Sequence, residues 1–339
     1  MRLGTFALGV GVAGLLSVAA SAQQITWTAG FVNAVGSSYV ETLKTVPARL
    51  DAATKGRLKL ELYDTLVAGP EQPAAVRDGR LDSSFAVTPW LSAEAPYMDF
   101  GNLPGLLTDV AVYHKMLDPL LRGEMAKIWT SKYNAVQLMT GVFEEQCVIS
   151  RDQIHDVKDF AGKKVRVHNT EAATLMSKLG AAPTPVPFGE LVPALQRGIV
   201  DIVMTSVGTA NGFGFHTVAK HVGLWKIGTI VPWSFVVNQQ SWAKLPDDLK
   251  PVVQAELRKI EDEHFARHAS FNREAIENFK KNGMEVYVAP PEEQAKVFDK
   301  ANVDAVFESW YALNERAGTD GRGLVKKIEA LKEKMQAGG

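Results

Sequence analysis

A single cysteine, Cys147, occurs among 339 residues, so no internal disulfide can form and a disulfide scaffold is excluded. The 37 lysines and arginines nearly balance the 38 aspartates and glutamates, and no basic cluster of the kind that binds nucleic acid stands out. Past the first residues there is no second long apolar run to suggest a membrane span. The motifs G-x-S-x-G and H-E-x-x-H are missing as well, as is any Cys–His pairing with family context.

What is present begins with a leader. Met1-Arg2 is a minimal basic start, Leu3 to Ala20 is apolar, and Ala20 and Ala22 supply an A-x-A site. The apolar run is also long enough for a retained membrane anchor, but the small-residue site directly after it favours cleavage before Gln23. Residues 1–22 therefore read as a signal peptide. "GVGVAG" (Gly9 to Gly14) matches the dinucleotide fingerprint by letters only, since it follows no strand and lies inside the leader. The remaining chain exceeds the length at which one core keeps growing, which predicts two lobes.

Two stretches repeat one pattern. "AVRDGRLDSSFAV" (75–87) and "ALQRGIVDIVMTS" (194–206) each run from a helix end through Gly79 or Gly198 to Asp82 or Asp201 and a strand. Upstream, "GRLKLELYD" from Gly56 and "GKKVRVHNT" from Gly162 form a second pair, each a glycine followed by an alternating strand. The order of elements predicts two α/β lobes built from strand–helix–strand units.

In "GKKVRVHNT", Val165 and Val167 share one strand face, and Lys164, Arg166 and His168 the other. Counted from the glycines, Arg166 corresponds to Leu60, so the fold itself does not require a charge there. A buried guanidinium needs a partner. It is either an internal carboxylate (Glu171, Glu190 or Asp201) or an anionic ligand at the carboxyl end of the strand, where open α/β sheets place their binding crevice. The planar fork of arginine suits a carboxylate held by two parallel hydrogen bonds.

"VKDFAGKKVRVHN", "LGAAPTPVPFGELVPALQRGIVD" (179–201), "KLPDDLKPVVQ" (244–254), "ATKGRLKLELY" and "RDGRLD" together resemble the substrate-binding proteins of tripartite ATP-independent periplasmic (TRAP) transporters, DctP type. The resemblance covers the chain from about Gln23 to the last helix. It implies a two-lobed periplasmic binding protein of α/β fold, with a ligand cleft between the lobes and a long bridging helix. It also implies an organic acid as ligand and a TRAP permease as membrane partner; no enzymatic activity and no cofactor are expected, and no residues are singled out as metal ligands. Arg166 matches the family's ligand-carboxylate arginine and Phe188 its pocket phenylalanine. Gln146 stands where sialic-acid receptors carry a further arginine, and Thr205-Ser206 where they carry Asn-Pro, which argues against a sialic-acid-like ligand. His168 replaces a proline common in the family, with no effect that the resemblance predicts.

The layout read from this places residues 23–143 with about 232–271 in one lobe and 144–231 with about 272–330 in the other. Residues 331–339 form a loose tail. Trp90 and Trp233, at strand ends near the crossings, are candidate walls for an apolar or aromatic ligand body, or else core. Glu71 opens a helix and either meets the ligand or only complements the helix dipole. Asn33, in the loop after the first strand, is a candidate hydrogen-bonding residue or plain turn chemistry. From about Asp248 to Asn282 the pattern is one helix of roughly 50 Å, stopped at Gly283. His264 and His268 sit one turn apart on it; with no third metal ligand evident, they read as a solvated face. The rival functional class is an exported hydrolase or lyase acting on a small carboxylate in the cleft, with Glu190 as a conceivable base but no positioned nucleophile.

Overall fold

The computed structural model describes residues 24–228 and 230–337; the leader read over 1–22 lies outside them. Two twisted sheets organise the chain. The first contains β1 (Ile25–Gly30), β2 (Leu58–Tyr63), β3 (Ser83–Val87), β4 (Ala135–Val142) and β10 (Pro232–Asn238), in the order β2-β1-β3-β10-β4. The second contains β5 (Gln146–Ser150), β6 (Lys164–Arg166), β7 (Ala182–Pro183), β8 (Ile202–Ser206), β9 (His221–Leu224) and β11 (Glu285–Val288), in the order β11-β9-β5-β8-β6-β7. The molecule is a two-lobed α/β protein.

In each lobe a parallel trio is flanked by one antiparallel strand: β2-β1-β3 by β10, and β7-β6-β8 by β5. The chain crosses between lobes from β4 to β5 and from β9 to β10. A third crossing is the helix Leu249–Lys281, which packs on elements of both lobes before β11. That helix spans 33 residues and stops where Gly283 turns left-handed, close to its expected limits.

The repeat read in the sequence corresponds to real elements. Gly79 and Gly198 both end helices with positive φ, and the aspartate after each bonds the neighbouring strand's backbone. Asp82 Oδ2 accepts from Thr28 N on β1, and Asp201 Oδ2 accepts from Lys164 N on β6. These bonds correct one inference. β6 is the counterpart of β1, not of β2, so Arg166, opposite Val203, corresponds to Gly30, opposite Ser84, rather than to Leu60. The conclusion stands, because the first lobe has no side chain at all at that position.

Three further expectations change. His264 and His268 are buried, not solvated: their Nε2 atoms lie 2.9 and 3.1 Å from the carbonyls of Val142 and Phe143, while Asn272 Oδ1 accepts from Glu145 N. Side chains of the long helix thus fasten it to the backbone at the first crossing, from the end of β4 to Glu145. The last two helices, Lys300–Arg316 and Gly321–Ala337, reach back to the first lobe: Trp310 Nε1 donates to the Pro96 carbonyl (2.7 Å) and Lys327 Nζ to Glu124 (2.9 Å). Residues 331–337, read as a tail, continue the final helix, with Leu331 and Met335 packed on the core. Among the described residues no helix is long and apolar enough to cross a membrane. Cys147 is buried in β5, and burial pushes its thiol well above the ordinary range.

Candidate functional site

β6 and β8 run parallel, so their carboxyl ends open on the same crevice between the lobes. Arg166 is the last residue of β6 and only 4% exposed. Its Nη1 donates to the Met204 carbonyl (2.8 Å), while Nε is buried with no hydrogen-bond partner among the described residues. None of the three internal carboxylates considered for it is a salt-bridge partner. Glu190 lies 3.4 Å from Arg197, Asp201 accepts from Lys164 N, and Glu171 accepts from Thr170 Oγ1. Burial without an anion draws the guanidinium down to about 10, a direction that bound carboxylate would reverse.

Arg166 borders two adjoining cavities. A small one, about 30 Å³, is lined by Gln146, Thr205, Ser206 and Thr209 on its polar side and by Val87 and Phe143 on its apolar side. The larger, about 800 Å³, is walled by Phe31, Pro185, Phe188 and Phe213. Trp90, Arg166, His168 and Phe188 border both. The Trp90 and Phe188 rings meet edge to face at 5.6 Å, and Phe188 packs on the cores of both lobes. The site therefore joins one desolvated cation to a small recess of mixed polar and apolar side chains and to an aromatic wall.

Six of the eight residues singled out from the sequence come together here: Arg166, Gln146, Thr205, Phe188 and Trp90, with Asn33 at the rim of the larger cavity. Gln146 Nε2 donates to the Glu144 carbonyl (3.2 Å), and Asn33 Nδ2 donates to Asp64 (3.0 Å). Two do not join them. Trp233 is fully buried in β10 against Tyr39, Phe85 and His264, and it borders none of these cavities. Its position in the middle of the first sheet, between β3 and β4, makes it core. Glu71 is exposed in the turn before the Gln72–Arg77 helix and also borders neither cavity, although Gly69 and Pro70 beside it do. Sequence reasoning did not name His168, Ser206, Thr209 or Phe213 as ligand contacts. Ser206 and Thr209 had a local signal, since a serine three residues before a threonine at a helix start is a capping pair: Ser206 Oγ accepts from Thr209 N.

The lobes touch across the cleft. Thr170 N donates to Ser92 Oγ (3.1 Å), and Asn169 Nδ2 donates to Asp99 Oδ2 (2.7 Å). Gly36 and Gly212 meet backbone to backbone, so closely that a Cβ on Gly212 would fall 1.9 Å from the Val35 carbonyl oxygen. Asp99 is buried beside Glu171, and burial, then the Glu171 charge, raise its carboxyl well above the ordinary range. A carboxyl so raised binds its proton more tightly folded than unfolded. Its contribution to stability therefore declines as pH climbs from the ordinary carboxylate range upward. Glu171→Gln removes the neighbouring charge, so its melting temperature should exceed the parent's by a margin that widens from pH 5 to pH 8. Parallel melting curves would refute this coupling.

Donor atoms of His114, Glu261 and Asp262 lie within 4.8 Å of one another, but Glu261 is already taken by Arg122, Arg258 and the Thr140 N–H. These groups meet the carboxylate's need for positive charge and donors without an ion.

The DctP family model, described as bacterial extracellular solute-binding protein, family 7, matches residues 29–310. The chain is similar to the sialic acid-binding periplasmic protein SiaP of Vibrio cholerae, at 26% identity over 275 residues, covering 80% of this chain and 85% of the relative. Among solved structures it is similar to DctP7, a Bordetella pertussis extracytoplasmic solute receptor binding pyroglutamic acid. The TM-score is 0.80 at 21% identity, covering 90% of this chain and 99% of the other. It is similar too to a TRAP periplasmic solute binding protein from Desulfovibrio salexigens with bound orotic acid. There the TM-score is 0.82 at 19% identity, covering 91% and 98% of the two chains. At such identities the structural likeness speaks for the fold.

Proposed function

The chain belongs to family 7 of the bacterial extracellular solute-binding proteins, and from that premise we propose that it is a periplasmic receptor for a small organic acid, which it passes to a TRAP permease. The ligand's carboxylate lies on Arg166, its polar atoms face Gln146 and Thr205, and its body rests against the Trp90–Phe188 pair. The observation that carries this reading is the buried Arg166, which has no carboxylate partner among the described residues and borders both cavities. A cation in that state gains most from a bound anion, because the charge has already been taken out of water. The sialic, pyroglutamic and orotic acids named for the relatives are all carboxylic acids. Neutral Gln146 leaves one guanidinium at the recess, which favours a single carboxylate on an apolar or aromatic body. The leader read over residues 1–22 supports export.

A thermal-shift screen of organic acids, sugars and amines tests the proposal. A ligand at 100 times its dissociation constant stabilises the folded chain by about 2.7 kcal/mol. Acids with one carboxylate should therefore raise the melting temperature by several degrees. Hits confined to sugars or amines would reject the reading, and steady product formation from a bound acid would replace it with the exported hydrolase or lyase.

A further inference from the structure

We propose that His168 sets ligand specificity in this cleft by accepting a hydrogen bond from a hydroxyl or N–H group carried next to the ligand's carboxylate. The inference rests on the carboxylate reading above and adds which carboxylates are chosen.

His168 follows Arg166 by two residues, in the bend just past the end of β6, and the two side chains line the same two cavities. The ring borders the recess of about 30 Å³ and the larger cavity of about 800 Å³, and it also borders a third, of about 450 Å³, on the side of Glu171 and Leu175. Both Nδ1 and Nε2 are shielded from solvent, and neither has a hydrogen-bond partner among the described residues. Buried polar atoms are ordinarily satisfied, so an imidazole with both nitrogens unmet is a group waiting for a partner.

The protonation state decides what that partner offers. Burial and the adjacent Arg166 hold the imidazole down to about 3, so the ring is neutral at physiological pH. The other charged groups around it are Glu171 and Lys226 in the third cavity and Asp64 in the large one. Lys226 is 3.0 Å from Glu145, and Asp64 accepts from Asn33. A neutral imidazole carries one N–H and one lone pair. A carboxylate oxygen can satisfy the N–H, but it has no hydrogen to give the lone pair. Only a donor on the ligand meets that need. Because Arg166 and His168 both line the recess of about 30 Å³, the donor must lie within a bond or two of the carboxyl carbon. The favoured class is thus 2-hydroxy acids and cyclic acids with a ring N–H beside the carboxyl. An acid without the donor leaves the lone pair buried and unmet, the arrangement by which polar sites reject close analogues.

Three pairs of probes separate the possibilities: lactate with propionate, mandelate with phenylacetate, and pyroglutamate with cyclopentanecarboxylate. Calorimetric affinities are measured for the full chain, His168→Gln and His168→Leu, with melting curves to confirm folding. In any pair that binds, the donor-bearing acid should be favoured by at least about ten-fold in the parent. Leucine should reduce the ratio to about two-fold or less, while glutamine, whose carbonyl accepts a hydrogen bond, should retain most of it. A ring that only packs would leave the ratio unchanged in the leucine variant. Equal affinities within every binding pair of the parent, or a ratio that survives in His168→Leu, would overturn the role of His168 while leaving the receptor reading intact. Failure of all six acids, with hits of the wider screen confined to sugars or amines, would remove the carboxylate reading and this inference with it. Failure of all six beside binding of acids that lack such a donor would overturn the role of His168 alone.

Discussion

Arg166→Ala is expected to weaken binding of the cognate acid by about thirty-fold to several thousand-fold, with the unliganded melting temperature unchanged or slightly raised. Truncating one partner of a desolvated, hydrogen-bonded ion pair costs roughly 2–5 kcal/mol, much of it from leaving the other charge buried alone. That energy converts to the stated range of dissociation constants. The unliganded protein loses little, since Arg166 makes one bond to the Met204 carbonyl and otherwise carries the cost of a buried charge without an anion. Arg166→Lys should recover little affinity, because an ammonium cannot present two parallel donors. Calorimetry and melting curves on the same variants decide the matter. If Arg166→Ala unfolds the chain while the folded fraction binds normally, the arginine is part of the scaffold and the site lies elsewhere.

Gly212→Ala is expected to weaken the same ligand by about five- to 150-fold without touching it. The added methyl would meet the Val35 carbonyl at 1.9 Å, and the lobes would have to part at that edge to admit it. Overpacking of a close contact costs typically about 1–3 kcal/mol, which gives the stated loss. Gly212 is the last residue of its helix and has no positive φ, so alanine fits the local backbone and should leave the unliganded protein as stable as before. Small-angle scattering at saturating ligand should show a larger radius of gyration than in the parent. Normal affinity together with a normal radius would mean that the Gly36–Gly212 approach is no requirement of the bound state.

Local chemistry made much of this architecture legible in the sequence. Helix ends at Gly79, Gly198 and Gly283 could be read because only a residue without a Cβ enters the left-handed region cheaply, and each has positive φ. The long helix and the alternation around Arg166 were legible for the same local reason. Pairing was not. Matching glycines along the chain set Arg166 against Leu60, whereas strand register sets it against Gly30, because chain order and sheet order differ. Trp233 and the pair His264 and His268 failed in a similar way. A tryptophan at a strand end and two histidines one turn apart look alike whether they face a cleft, a core or water. What decides is the element packed over them, here the aromatic cluster around Tyr39 and the backbone of residues 142–143. His168 lacked a local signal altogether, since its significance lies in the partners it does not have.

The burial of Cys147 makes the protein ready for distance spectroscopy. Thiol-directed labels attack the thiolate, and a thiol inside β5 with its proton held this firmly offers them neither access nor reactivity. Cysteines introduced in pairs where the two lobes border the large cavity, for instance at exposed Ala68 and Gly189, would accept spin or fluorescent probes with no need to replace the native one. The interprobe distance could then be followed as acid is titrated in, turning the opening of the receptor into a ruler reading.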